Sequence, residues 1–255
     1  MKGALAFLTL AKLKNRLTSL VKSPGKLIYC VIFLALLGVT LFSGNMAAED
    51  PDRVIRDIRE LTAGITVLYA VIFLLVANSG FSQGGSMFLL PDVNLVFTAP
   101  ISPRKVLFYA LFRQMGTSLL AGLFILCQYA WLHNLYDVSY GVLLIILLGY
   151  GAAIFLGQVT AMLIYSFTSS DDAARRRARA VYFAVIGVFA ACALLRVLAG
   201  DSSKMLSRTV ESLNSLVARL FPVAGWLGWA VSGIITGDLS GTWTGLGISA
   251  LYLAL

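Results

Sequence analysis

Charge is scarce in this sequence. Only 13% of its 255 residues are Asp, Glu, Lys or Arg, whereas soluble domains carry about 25%. Hydrophobic residues make up 59%, against about 45–50% in soluble domains, and they fall in blocks. A water-facing surface needs more charge than this, so a soluble fold is excluded. The composition predicts an integral membrane protein of many helices.

Other absences remove most kinds of chemistry. Histidine occurs once, at His133, and no His-Glu-x-x-His pair is present to hold zinc. His133 therefore reads as a polar residue at an interface, and no metal or cofactor is expected. Cysteine occurs three times, at Cys30, Cys127 and Cys192, each inside an apolar run. An odd number so placed argues against a disulfide framework, and such thiols behave as small hydrophobes. Gly84-Gly85-Ser86 lacks the closing glycine of a nucleophile elbow. Asp137 and Asp238 make a poor intramembrane aspartyl pair, since one sits in a loop and the other in a glycine-rich stretch. Gly25-Lys26 is followed by Leu27 and lacks the upstream glycine of a phosphate-binding loop. The chain thus carries no ATPase of that type, and ATP-driven work would need a partner. Acids and lysines are missing from the interiors of the first five apolar blocks. Only Arg113 and Arg196 lie within them, each near an end from which it can snorkel. This weighs against coupling to an ion gradient.

What is present is a succession of apolar blocks. A bilayer core of about 30 Å takes a helix of roughly 20 residues. Spans are expected at about residues 27–42, 61–77, 106–132, 141–167 and 181–199, with a shorter sixth at 223–236. A seventh apolar run, 248–255, is incomplete, as in the first part of a longer protein. Gly237 to Gly247 reads as a flexible turn or re-entrant bend between the last two. Gly157 and Ala161, four apart, suit close helix packing. Residues 3–22 form a basic amphipathic helix, with Leu10, Leu13, Leu17 and Leu20 on one face and Lys12, Arg16 and Ser19 elsewhere. Such a helix belongs in the headgroup layer. Ser23-Pro24-Gly25 ends it. Residues 204–221 are amphipathic too: Leu206, Val210, Leu213, Val217 and Leu220 alternate with Lys204, Arg208, Glu211, Ser215 and Arg219 at helical steps.

The net charge of +8 does not mark a nucleic-acid binder, because the basic residues are scattered along membrane edges. Their distribution sets orientation instead. Twelve Lys and Arg fall in the segments up to Lys26, before Val106 and after Phe167, and six in the alternate segments. The N-terminus and the 78–105 and 168–180 loops are therefore expected in the cytoplasm. The 204–221 helix is expected on the outside of a cell-membrane protein. The fold class is all-α: a polytopic transmembrane helix bundle, 1–255, with an N-terminal cytoplasmic interfacial helix and an extracellular amphipathic helix.

The most specific segment is the cytoplasmic stretch Pro91-Asp92-Val93-Asn94-Leu95-Val96-Phe97-Thr98-Ala99-Pro100-Ile101-Ser102-Pro103-Arg104-Lys105. Asp92 suits the cap of a short helix over 93–98, which Pro100 ends. Ser102 and Pro103 suit the cap and first position of the third span. Arg104 and Lys105 hold the interface. Val93, Val96 and Phe97 form an apolar strip that could dock a protein or rest on headgroups.

The run from Asp92 to Leu107, with Lys14-Asn15-Arg16-Leu17 before the first span, resembles bacterial ABC exporter permeases. The resemblance implies a type-2 exporter membrane subunit. Its partners would be a cytoplasmic ATP-binding subunit and a second permease half or a second copy. It also implies an interfacial helix at 3–22, an ATPase-coupling segment at 91–105 and outer short helices at 204–221. Pro91, Asp92, Asn94, Phe97, Pro100, Ser102 and Pro103 would shape the coupling segment, anchored by Arg104 and Lys105. Family members are longer than this chain. A reading from another class is a non-transporting membrane scaffold or sensor whose cytoplasmic loops bind a regulator.

Overall fold

The structure is a computed structural model. It describes residues 54–81, 122–168, 171–198 and 205–254, with scattered positions in 14–43 and 111–119. The expected interfacial helix, most of residues 106–121 and the 91–105 segment lie outside the described residues, single positions apart, and the described positions of the expected first span, 27–42, are helical.

The described residues are all-helical. Helix α1 is Ile58–Asn78, continued by a 3-10 turn at Ser79–Phe81. A 3-10 stretch at Leu123–Gln128 leads into α2, Tyr129–Tyr136. Then come α3 (Tyr140–Thr168), α4 (Asp172–Leu198), α5 (Met205–Leu213) and α6 (Leu216–Arg219). Helices α7 (Ala224–Thr236) and α8 (Leu239–Ala254) follow. Among the described residues α1, α3 and α4 are long and apolar enough to cross a membrane.

Caps explain where these helices start. Asp57 is extended, and its carboxylate accepts from the Arg59 N–H at 2.9 Å. Glu60 in the first turn complements the helix dipole and pairs with Arg56 at 3.6 Å. Asp171 accepts from the Ala173 N–H at 2.8 Å and starts α4. Helix α4 therefore begins nine residues before the apolar block at 181. Arg175, Arg176, Arg177 and Arg179 lie on its first turns, not in a loop. Arginine is a good helix former, so a charged run continues a helix out of an apolar layer at little cost. Likewise α2 runs on to Tyr136, and the turn after it shrinks to residues 137–139. Asp137 takes the left-handed conformation there, φ 53°, which Asp tolerates better than most residues.

Helices α1 and α3 lie side by side and run in the same direction. The Tyr69 hydroxyl donates to the Ile146 carbonyl at 2.8 Å. About two turns further along α1, Gly157 faces Val76, and then Gly80 meets the backbone of Ala161. Helix α4 runs the opposite way: its Tyr182 hydroxyl donates to the Leu74 carbonyl near the end of α1. So one end of the bundle, the first, carries the starts of α1 and α3. The other, the second, carries Phe81, Thr168 and the four arginines of α4. Arg179 lies over the Phe81 ring there, 5.5 Å from its centroid. The outward side of α4 is apolar, with Val181, Phe183, Val188 and Leu195 exposed, as a lipid-facing surface requires.

Beyond α4 the chain folds back into the bundle. Helix α5 sits at the first end, where the Ser212 hydroxyl reaches the Ala193 carbonyl at 3.4 Å. Helix α6 then descends until Phe221 packs edge-on against Phe189 of α4, ring centroids 5.0 Å apart. The direction reverses at Pro222-Val223. Val223 has φ 62° and ψ −60°, and the Ala224 N–H bonds the Pro222 carbonyl at 2.6 Å. This is a γ-turn of the positive-φ kind, strained for a β-branched residue. Val223 is wholly buried in the core cluster, and that packing holds it. Helix α7 climbs back antiparallel to α1, with Gly228 against Thr66 and Thr236 near Arg59.

The apolar block at 223–236, expected as a short span, is the 13-residue α7, the arm that returns along α1 after the reversal at Pro222-Val223. Its 13 residues reach only about 20 Å, short of the bilayer core of about 30 Å. The glycine-rich stretch also differs from expectation. Only Gly237, at φ 77°, and Asp238 form a turn, and α8 begins at Leu239. Gly241 and Gly245 are helical and lie against α7: a Cβ on Gly245 would meet the Ala230 nitrogen at 2.8 Å. Their missing side chains permit close packing of α8 on α7 instead of flexibility.

Candidate functional site

The re-entrant α5–α7 segment leaves two cavities beside α1. One is apolar, about 210 Å³, and lies between α1, α4 and α6. Val67, Ala70 and Leu74 of α1, Phe189 of α4, and Val217 and Phe221 line it. The other is polar, about 340 Å³, and opens at the first end. Arg59 and Thr62 of α1, Glu211 and Asn214, Arg219 of α6 and Ser232 of α7 line it. Both cavities use α1 as a wall. Thr62 belongs to the polar one and Thr66, one turn further, to the apolar one, a step of about 6 Å along the axis. The amphipathic 204–221 stretch contributes to both: Leu213 and Val217, with Ser212 and Ser215, line the apolar space, and Glu211 and Arg219, with Val210, the polar one.

Asn214 joins the re-entrant segment to α1. It stands at the break between α5 and α6. Its amide Nδ2 donates to the carbonyls of Arg59 and Val210, each at 2.9 Å. Its Oδ1 accepts from the Thr62 hydroxyl at 3.0 Å. Asn214→Ala removes all three bonds and is expected to cost about 1–3 kcal/mol, since a typical intramolecular hydrogen bond is worth about 0.5–1.5 kcal/mol. Asn214→Asp keeps the acceptor but loses both donated bonds, so it should be nearly as harmful. Thermal unfolding of the detergent-solubilised chain checks this. An Asp variant as stable as wild type would show that the donated bonds do not matter.

Arg219 lies over the indole of Trp229 on α7, 5.1 Å from the ring centroid. This cation–π contact fixes the guanidinium at the rim of the polar cavity. Asp238 in the α7–α8 turn is engaged locally. Its carboxylate accepts from the Ser240 hydroxyl at 2.7 Å and the Gly241 N–H at 3.2 Å. These bonds, with the nearby Arg219 charge, hold its carboxyl below the usual carboxylate range. Asp137 lies at the far end of α2, in the turn before α3, so the structure gives the two aspartates separate local roles. His133 is a structural residue: its Nδ1 donates to the Val138 carbonyl at 2.9 Å and its ring stacks on Tyr129. Cys127 and Cys192 are half-buried free thiols.

The sequence pointed to Pro91, Asp92, Asn94, Phe97, Pro100, Ser102, Pro103, Arg104 and Lys105, all outside the described residues. It did not point to Asn214, Thr62 or Arg59 as a group. An asparagine between two apolar-periodic halves, and a threonine at the start of a span, were the available signals.

Among the described residues these elements are all helical, and three of them are long and apolar enough to cross a membrane. The chain belongs to the family described as "Putative ABC exporter", whose family model matches residues 1–255. Comparisons with curated proteins and with solved structures return no match. Family membership makes the chain a membrane component of ABC-type transport, a family that in general implies a partner ATP-binding subunit.

Proposed function

We propose that this chain is the permease subunit of an ABC exporter, moving an apolar or amphipathic substrate outward while a separate cytoplasmic subunit hydrolyses ATP. The observation that carries this reading is the family match over residues 1–255. The structure supports it in two ways. From Leu61 to Phe81 in α1 and throughout α3 no charged residue occurs, as suits a path for apolar cargo. The second end of the bundle collects Arg175, Arg176, Arg177 and Arg179, and such a basic cluster supports a cytoplasmic position for that end. The first end, with the polar cavity and the α5–α6 segment, then faces outward.

In this arrangement the 78–105 segment leaves α1 on the ATPase side. The ATP-binding subunit docks at 91–105, with Asp92 and Phe97 central, and the N-terminal helix lies on the same membrane face. A second permease half or a second copy completes the transporter. The test is a pull-down of the tagged chain in detergent, with mass spectrometry of what comes with it. Recovery of an ATPase whose turnover rises in the complex supports the reading. Its consistent absence, while other membrane complexes survive, would favour a scaffold. The double variant Asp92→Ala/Phe97→Ala is expected to lose most ATPase recovery while the chain's own thermal unfolding stays unchanged. Unchanged recovery would remove the coupling assignment.

A further inference from the structure

The two cavities beside α1 lie in series along that helix, a polar space followed by an apolar one. The polar cavity is at the outer rim, and the apolar one is one helical turn deeper. The polar lining carries two guanidinium groups, Arg59 and Arg219, against one carboxylate, Glu211. Of the other acids nearby, Glu60 pairs with Arg56, Asp57 caps α1, and Asp238, held by Ser240 and Gly241, keeps its charge near Arg219 without forming an ion pair with it. Among the described residues neither Arg59 nor Arg219 forms an ion pair. Arg219 is positioned by the Trp229 ring. Guanidinium groups match phosphate and carboxylate oxygens in a planar fork. Thr62, Asn214 and Ser232 add neutral hydrogen-bonding groups, the sort that fix orientation in a ligand pocket. The deeper cavity is lined almost wholly by carbon, so it accepts a hydrocarbon chain and rejects a polar group.

We infer that this pair of cavities binds an amphipathic anion, with its phosphate or carboxylate headgroup between Arg59 and Arg219 and its acyl chain along Val67, Ala70 and Leu74 toward Phe221. As the substrate class of the exporter, the assignment rests on the reading proposed above; as a binding site, it stands on the cavities alone. Phe221, just before the turn at Val223, is a wall of the apolar part, and Asn214 lines the polar one.

The test is calorimetric titration of the full chain in a neutral detergent, with probes below their micelle-forming concentrations. The probes are palmitoyl lysophosphatidylglycerol, the uncharged palmitoylglycerol with the same chain, and glycerol phosphate with no chain. The anionic lipid is expected to bind at least about tenfold tighter than either of the others, the worth of one charge-assisted hydrogen bond. Arg59→Gln, at an exposed side chain, should bring it close to the uncharged lipid, and Arg59→Gln/Arg219→Gln should abolish the difference. Arg59→Lys/Arg219→Lys, which keeps the charges but not the planar fork, should keep only part of it. Ala190→Phe, which fills the apolar cavity, should weaken both chain-bearing probes alike. Equal affinity for the charged and uncharged lipids would overturn the headgroup site. Glycerol phosphate binding as tightly as the lysolipid would reduce it to a free-anion site and overturn the acyl part. Because the titration needs neither ATP nor a partner, its failure leaves the exporter reading standing. Failure to recover an ATPase would likewise leave the binding result standing.

Discussion

Replacing Tyr69 by alanine is expected to destabilise the bundle by about 3–5 kcal/mol, the range for deleting a buried aromatic side chain. Tyr69 is fully buried, at 0% exposure, in the middle of α1. Its ring fills the space left by Gly149 on α3, where even a Cβ would meet the Tyr69 Cζ at 2.7 Å. Its hydroxyl donates across to the Ile146 carbonyl at 2.8 Å. Two losses therefore combine: the packing of the ring and one hydrogen bond between helices. Tyr69→Phe separates them. It keeps the ring and removes the bond, and is expected to cost about 1 kcal/mol. In a bilayer the driving force between helices is packing and hydrogen bonding, since lipid is as apolar as the side chains. The packing loss should then dominate, and thermal unfolding in detergent should drop several times further for Ala than for Phe. Similar losses in the two variants would mean that the hydrogen bond, and not the fit of ring to glycine, holds α1 on α3.

Helices α1 and α3 were legible in the sequence because each is one apolar block bounded by polar residues. Helices α1 and α3 differ from the blocks at 61–77 and 141–167 by no more than three residues at either end. Where a helix leaves the apolar layer, composition stops reporting it, and so the first nine residues of α4 read as a loop. The glycine-rich stretch misled for a different reason. Glycine serves both turns and close packing, and single-residue preferences do not tell the two apart. Gly237 is the turn residue, while Gly241 and Gly245, spaced four apart, lie on the α8 face toward α7. The re-entrant path was the least legible feature. Its reversal places a β-branched valine at positive φ, against local preference, and only burial in the assembled core holds it there. The cavities were illegible for a similar reason. Arg59 and Thr62 meet Asn214 across 152 residues or more, and no local pattern announces such a meeting.

The reversal also makes the sharpest demand on a single side chain. Gly225→Leu is expected to destabilise the chain by about 3 kcal/mol, the upper part of the range for overpacking. Gly225 follows the γ-turn directly, and its N–H bonds the Phe221 carbonyl at 3.0 Å. A Cβ there would collide with the Ala218 carbonyl oxygen and come within 2.7 Å of the Arg219 oxygen. Both obstacles are backbone, so no rotamer change relieves the clash. Either α6 moves off α7 or the turn opens. Moving α6 would also pull Arg219 from the Trp229 ring and disturb both cavities, so anionic-lipid binding should fall together with stability. Gly187 in α4 supplies the contrast. Nothing lies within 4 Å of a Cβ placed there, and leucine is a better helix former than glycine. Gly187→Leu should therefore melt at the wild-type temperature or slightly above it. Gly225→Ala, carrying only the Cβ, should fall between Gly225→Leu and wild type. A Gly225→Leu protein that unfolds at the wild-type temperature would mean that α6 and α7 do not meet as described, and the re-entrant turn would have to be redrawn. If Gly187→Leu were equally damaging, the intolerance would belong to glycine in these helices generally, and close approach at the turn would not be its cause.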